Sequence, residues 1–313
     1  MEDAVRKELE RRLGKDALAR RLDIEQTRCS QNGCDSPSRR YARFVCATFL
    51  LFCKITWIYR WGRRQFHALR ITENPLRVRG LPAAFEGFRI MHLSDMHLDL
   101  DPSFTQTLVG TIEKCSFDIC VMTGDYRNFL DGDDARMLAE MRKVADAIAR
   151  HGKPIYAILG NHDAAESVPR LEALGIRFLL NEHVVLRKEG ECLVLAGVDD
   201  PNIYATHDVG RALAGAPEGA PVILLSHSPT GYHDALKHDV AALLAGHLHG
   251  GQVCLPGSII VRCRESSPRR MWRGAWRSDD GRLHGYTSTG SGGCGVPLRF
   301  FSSPEIAIHR LIP

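Results

Sequence analysis

Apolar and polar positions follow two different rhythms along the chain, and the change falls near Phe88. Before it, apolar residues recur at helical spacing. Val5, Leu9, Leu13, Ala17, Leu18 and Leu22 form one stripe among Lys and Arg, which predicts a basic amphipathic helix over residues 1–28. "CSQNGCDSPSRR" then reads as a linker. "FVCATFLLFCKITWIYRW", Phe44 to Trp61, is apolar up to Lys54 and closes on Trp57, Tyr59 and Trp61. A spanning helix wants roughly 20 apolar residues, so this shorter run predicts a helix lying in a membrane interface or a weak anchor. A buried helix packed on the body is the alternative reading.

From Phe88 onward short apolar runs alternate with helical patterns. "FRIMHLSD", "FDICVMTGD" and "PIYAILGNHD" are strand-like. "SFTQTLVGTIEKC", opening on Ser103 as a cap, and "DDARMLAEMRKVADAIARHG" are helical. "VPRLEALG" is a short helix ending at Gly175. "FLLNEHVVLRK" and "ECLVLAGVDD" read as a hairpin, "PVILLSHSP" and "DVAALLAGHLHGG" as buried strands. "LHGYTSTGSGG" and "PEIAIHRL" add further β structure. The pattern predicts an α/β domain with two sheets packed face to face. It divides the chain into a basic helix and linker (1–40), an apolar and aromatic segment (41–75) and the α/β domain (76–313).

Charge sharpens this division. The first 70 residues carry 16 Lys and Arg against 8 Asp and Glu, whereas the rest sums to −4. A second basic cluster, "RCRESSPRRMWRGAWR" from Arg262 to Arg277, interrupts the acidic body. A basic arm on an acidic body favours an anionic partner, and the apolar segment beside it favours a phospholipid surface. Trp272 and Trp276 are the aromatic residues interleaved with that second cluster, too few for a nucleic-acid stacking platform. They also suit a membrane-facing lid. Ten cysteines are scattered with no C-x-x-C pair, which fits a reducing compartment better than a disulfide framework. "SRRYARF" carries the twin arginine of one class of export signal; the larger pattern favours a basic flank.

Five apolar strands end in polar signatures: "LSDMH" (Asp95, His97), "TGDYRN" (Asp125), "GNHD" (Asn161, His162), "LLSHSP" (His227) and "GHLHGG" (His247, His249). Ligands of open α/β sheets gather at the carboxyl ends of strands. Asp, His and an Asn carbonyl are oxygen and nitrogen donors suited to Mn, Fe or Zn. Seven such donors, with His162 set aside, exceed one tetrahedral ion and suit two ions bridged by a carboxylate. His92 alternates with the strand core and reads as structural. Asp199 and Asp200 read as loop caps.

The ordered set D-x-H, G-D, G-N-H-D, H and G-H-x-H resembles the calcineurin-like metallophosphoesterase superfamily over roughly Phe88 to Leu311. The tail "PLRFFSSPEIAIHRL", with "GVDDPNIY" and "GGQVCLPG", is similar to a membrane-associated bacterial branch related to UDP-2,3-diacylglucosamine hydrolases of lipid A synthesis. The resemblance implies a four-layer fold, two sheets flanked by helices, carrying the N-terminal membrane-seeking arm. It implies that Asp95, His97, Asp125 and His249 hold one divalent transition metal. Asp125 would bridge to a second, held also by Asn161, His227 and His247. Mn is the favoured ion, with Fe or Zn as alternatives. His162 would be catalytic, stabilising phosphoryl charge or protonating the leaving oxygen. Relatives often read G-D-x-x-D, but here the last position is Asn128, which leaves the partner of His162 open among Asn128, Asp163 and Asp99. Arg127 is a candidate for contact with a substrate phosphate. The expected activity is hydrolysis of a lipid-linked nucleotide sugar on the cytoplasmic face of the inner membrane. A general phosphodiesterase or phosphomonoesterase is the alternative, and a non-catalytic scaffold is disfavoured by the full donor set.

Overall fold

The strand–helix rhythm after Phe88 becomes two six-stranded sheets in the computed structural model, which describes residues 2–31, 37–128, 134–260 and 265–313. The strands are β1 (Arg70–Arg77), β2 (Arg89–Leu93), β3 (Ile119–Met122), β4 (Ile155–Ala157), β5 (Ile176–Phe178), β6 (Glu182–Lys188), β7 (Glu191–Gly197), β8 (Val222–Leu225), β9 (Ala242–Ala245), a small β10 (Cys254–Leu255) and β11 (Ile259–Ile260) pair, β12 (Gly274–Arg277), β13 (His284–Thr287) and β14 (Glu305–Ile312). The first sheet runs β1-β14-β2-β3-β4-β5 and the second β12-β13-β9-β8-β7-β6. β2 through β5 are parallel neighbours, as are β7, β8 and β9. β6 and β7 form the expected antiparallel hairpin.

Alternation along each strand sets the layers. Ile90 and Val121 of the first sheet meet Leu195, Ile223 and Leu244 of the second in an inner core. Met91, Leu93, Cys120 and Met122 face the other way. There they lie under helices that include Pro102–Ile112 and Ala135–Ala149. The mixed α/β architecture with two flanked sheets is therefore as expected. The helix at Pro102 is capped by the Asp101 side chain, which accepts from the Ser103 N–H, rather than by Ser103 itself.

The N-terminal region differs most from expectation. The predicted single helix is two, α1 (Asp3–Leu13) and α2 (Lys15–Gln31), broken at Gly14 with φ 97°. Leu9, Leu13 and Leu18 are each 1% exposed and belong to the core of the first sheet. Burial of a leucine contributes roughly 1.5–3 kcal/mol, and here the protein core rather than lipid supplies that burial. The stripe therefore docks on the protein, and the reading of residues 1–28 as a membrane-seeking arm is corrected. The expected linker narrows as well, because α2 runs to Gln31 and α3 (Pro37–Ile55) starts at Pro37; residues 32–36 lie outside the described ones. The twin arginine falls within α3. β1 straddles the expected boundary at residue 75 and pairs along its whole length with β14.

α3 is followed by α4 (Ile58–His67), bent from it by 110° at Trp57, whose φ is 64°. Among the described residues no single helix is long and apolar enough to cross a membrane, although this bent pair passes by length and composition. One side of the pair, with Phe49, Leu50, Cys53 and Ile58, packs on Val296, Leu298 and Phe300. The other side exposes Phe44, Leu51, Phe52, Ile55 and Trp57. In the second basic cluster, Trp276 is buried in the outer core of the second sheet and donates its N–H to Thr287, so it is no lid. Residues 262–264 of that cluster lie outside the described ones.

Candidate metal centre

The carboxyl ends of β2, β3, β4, β8 and β9 meet at one edge of the sandwich. Each strand hands its polar signature to a tight turn, and five of the key residues adopt left-handed backbone: Asp95 (φ 52°), His97 (42°), Asp125 (58°), His247 (74°) and His249 (50°). Non-glycine residues seldom occupy this region, and such strain concentrates at sites where the surrounding fold over-determines the geometry. The glycines beside them serve close approach. A Cβ on Gly246 would sit 1.8 Å from Ser94 Oγ and 2.4 Å from an Asp95 carboxylate oxygen. One on Gly160 would sit 2.3 Å from Asp125 Oδ1.

The candidate donors are brought together here. Asp95, His97, Asp125 and His249 bring ligand atoms within 4.8 Å of one another, and so do Asp125, His227 and His247. Asp125 belongs to both groups. Its Oδ2 lies 3.6 Å from His97 Nε2 and its Oδ1 lies 3.4 Å from His227 Nε2. Asn161 Oδ1 is 2.9 Å from His227 Nε2. His97 Nε2 faces His249 Nε2 at 3.2 Å.

Backbone carbonyls set the ring orientations. His97 Nδ1 donates to Arg127 O (2.8 Å) and His227 Nδ1 to Thr123 O (2.7 Å), so each turns Nε2 toward the cluster. Metal-ligating histidines are commonly held in this way. Between His227 Nε2, Asn161 Oδ1 and the Asp125 carboxylate, something positive must sit, either a proton or a cation. His249 Nδ1 is buried without a hydrogen-bond partner. This borderline oxygen and nitrogen set fits divalent metal ions.

A family model described as calcineurin-like phosphoesterase matches residues 88–251, a little over half of the chain, and spans all five signatures. The chain belongs to that family. An uncharacterized metallophosphoesterase of Aquifex aeolicus is 30% identical over 257 residues, covering 78% of this chain and 92% of its own length. The uncharacterized metallophosphoesterase YkuE of Bacillus subtilis is 29% identical over 262 residues, 78% of this chain and 86% of that protein. A Danio rerio transmembrane protein with metallophosphoesterase domain is 29% identical over 255 residues, 76% of this chain; the chain spans only 56% of that relative's length.

As a calcineurin-like phosphoesterase the protein is a hydrolase, and the buried Asp and His cluster at this edge has the donors a divalent metal needs. Electrostatics there are strongly coupled. Burial opposes ionisation of Asp125, but the His227 and His162 rings outweigh it and hold the carboxyl well below its ordinary range. Burial pushes Asp95 up to about 6, with Asp125 adding to the effect. Burial also disfavours charge on His162 and His227, yet Asp125 outweighs it and pushes them up to about 9 and about 10. Burial depresses His97 to about 3. The centre attracts positive charge around Asp125.

His162 finds a partner that side-chain reasoning missed. Its Nδ1 donates to the backbone carbonyl of Asn128 at 2.8 Å, while the Asn128 side chain accepts from Gly295 N–H. Asp163 instead accepts three backbone N–H groups, from Asp125, Tyr126 and Gly160. Asp99 accepts the Asn128 N–H. The residue type at 128 therefore matters less to His162 than its carbonyl does. Arg127 is also placed differently. It is buried, donates to His162 O (2.7 Å) and pairs with Asp134 (2.8 Å), so its guanidinium holds the loop rather than standing open to a phosphate. His92 is structural as read, bonded to Thr123 and His309 in the core. Asp200 caps its loop by accepting from Ile203 and Tyr204 N–H, whereas Asp199 pairs with Arg21.

Several organising residues had no signal in the motifs. Arg299, wholly buried, donates to the carbonyls of Thr289, Gly290, Gly292 and His249. Arg21 and Arg28 of α2 reach the backbone carbonyls of Asp163 and Asn161. Cys294 lies 4.0 Å from His162 Nε2, marked in the sequence only by the glycines on either side of it.

Proposed function

We propose that this hydrolase is a dinuclear metal-dependent phosphodiesterase or pyrophosphatase, with Asp95, His97, Asp125 and His249 holding one divalent ion and Asp125, Asn161, His227 and His247 the other. The observation that supports it is the position of Asp125, shared between two donor groups with one oxygen turned to each. Bound ions of this kind act as Lewis acids toward phosphoryl oxygens and lower the pKa of water. The chain supplies the rest. Asn128 O fixes the His162 ring so that Nε2 faces the donors, where it holds a proton for the leaving oxygen. The Asp125 Oδ1 that faces His227 also accepts the His162 N–H (2.8 Å), tying that histidine's backbone to the bridging carboxylate.

The substrate proposed is a diphosphate joining a nucleoside to an acylated sugar, with UDP-2,3-diacylglucosamine as the favoured candidate. Support comes from the exposed apolar face of α3 and α4, whose opposite side packs on Val296 and Leu298, beside the loop that reaches His162. That face would bring the centre to a phospholipid surface, on the cytoplasmic side of the inner membrane. The test is kcat/KM of metal-loaded protein on the diacylated nucleotide sugar, its deacylated form, bis-p-nitrophenyl phosphate and p-nitrophenyl phosphate. Acyl chains buried at about 0.8 kcal/mol per CH₂ should favour the diacylated form strongly. Equal rates on both nucleotide sugars would leave a general phosphodiesterase; preference for the monoester would overturn the diester reading.

A further inference from the structure

Cys294 stands in the loop between β13 and β14. Its sulfur joins ring nitrogens of His97 and His249 in a three-donor group whose atoms all lie within 4.8 Å of one another. Two donors at about 2.3 and 2.0 Å from one ion lie at most about 4.3 Å apart, so small side-chain rotations would close such a group on a cation. His97 already turns Nε2 inward, because Nδ1 donates to Arg127 O. The His249 side chain is 9% exposed and carries the unpartnered Nδ1.

The cysteine is also held in place. Gln252 Oε1 accepts the Cys294 N–H (2.8 Å), and Gln252 Nε2 donates to Cys294 O (3.0 Å). The same amide nitrogen reaches the carbonyls of Val296 and Leu298. Gly295 N–H donates to Asn128 Oδ1 (2.8 Å), which ties this loop to the turn that carries Asp125. The side chain is half-buried rather than packed into the core. With the backbone held in this way, the Cys294 side-chain torsion is what ligation has left to order.

We propose that Cys294 supplies a thiolate to the ion held by Asp95, His97, Asp125 and His249. This rests on the dinuclear reading above and adds sulfur to one half of it. On binding, the thiol releases its proton to solvent and its sulfur takes a position on the ion. The half of the centre around His227 keeps nitrogen and oxygen donors only. Thiolate is a soft donor, so the mixed half favours Zn or Fe over Mn. A sulfur at this position also faces His162, which places the ligated thiolate beside the proton-holding ring.

X-ray absorption at the zinc edge tests this on the full chain, kept reduced, stripped of metal and loaded with Zn(II) alone. The wild-type protein is expected to show a sulfur shell at about 2.3 Å beside nitrogen and oxygen at about 2.0–2.2 Å. Cys294→Ser and Cys294→Ala are expected to lose the sulfur shell while still binding zinc. Zinc bound by nitrogen and oxygen alone in the wild type overturns the inference, and so does a sulfur shell that survives in both variants, since the thiol is then another cysteine. Either result, with phosphodiester hydrolysis intact, leaves the dinuclear reading standing and assigns the Cys294 thiol to contact with His162. Failure of the wild type to bind zinc, manganese or iron overturns the metal reading itself and this inference with it.

Discussion

Asp125 accepts the His162 N–H on the oxygen that also faces His227, and turns its other oxygen to His97. Asp125→Ala should therefore lose both ions together, read by elemental analysis of folded, reloaded protein; retention of one ion would show that the two groups fill independently. His162→Ala should keep its metal and lose about 10²–10⁴-fold in kcat, the range for a positioned acid–base group. Glycines separate sharply by what surrounds them. Gly110 lies on the outer side of the helix Pro102–Ile112 with nothing within 4 Å of its would-be Cβ, so Gly110→Ala should raise stability by up to about 1 kcal/mol. Gly246→Ala drives a methyl into Ser94 and Asp95, and should lower both the melting temperature and metal retention. The candidate donors were legible because five strand-terminal signatures occur together in one order; any one alone reads equally as a turn or cap. Their left-handed backbone was not, since Asp and His are only enriched in that region and most of them lie outside it. The carbonyl partner of His162 was equally silent, because every residue carries a carbonyl.

α2 acts on the centre from outside the five signatures. Arg21 is fully buried, pairs with Asp199 and Glu25, and donates to Asp163 O; Arg28 reaches Asn161 O and Tyr204 Oη. Arg21→Ala would strand a buried carboxylate and should cost about 3–5 kcal/mol in denaturant unfolding. Arg28 is more exposed, and Arg28→Ala should leave stability nearly unchanged while weakening metal binding about 10–100-fold, as for loss of an outer partner of a ligand. Titration of the stripped variant with zinc reads this directly, and wild-type affinity would remove α2 from the centre. An amphipathic stripe has the same period whether it meets lipid or protein, which is why residues 1–28 read as a membrane arm. The strands and helices after Phe88 were legible because each apolar run is short, buried and bounded by turn residues. β1 was missed because "RITENPLR" is largely exposed on an edge and carries a proline.

At the scale of the molecule, the exposed face of α3 and α4 is an apolar surface of the N-terminal region among the described residues. Replacing Phe52, Ile55 and Trp57 by Ser should leave turnover of bis-p-nitrophenyl phosphate unchanged and abolish sedimentation with anionic vesicles. Unaltered sedimentation, or none by the unsubstituted protein, would overturn the proposed contact of this face with a phospholipid surface. The two-sheet frame was legible from the strand count and order, but the packing of this helix pair on the loop after β13 was not, because it joins residues near 50 to residues near 300. The donors also divide by layer. Asp95, His97, Asp125 and Asn161 follow strands of the first sheet, and His227, His247 and His249 follow strands of the second. Any ion shared by these residues is a cross-link between the two halves of the sandwich, drawn tight at one rim. A ligand bound only by the folded state adds about 2.7 kcal/mol of stability at a hundredfold excess over its Kd. Chelation should therefore act mechanically as well as chemically: the sandwich would be free to gape at that rim, and amide hydrogens at the ends of β2, β3, β8 and β9 would exchange faster than those at the opposite rim.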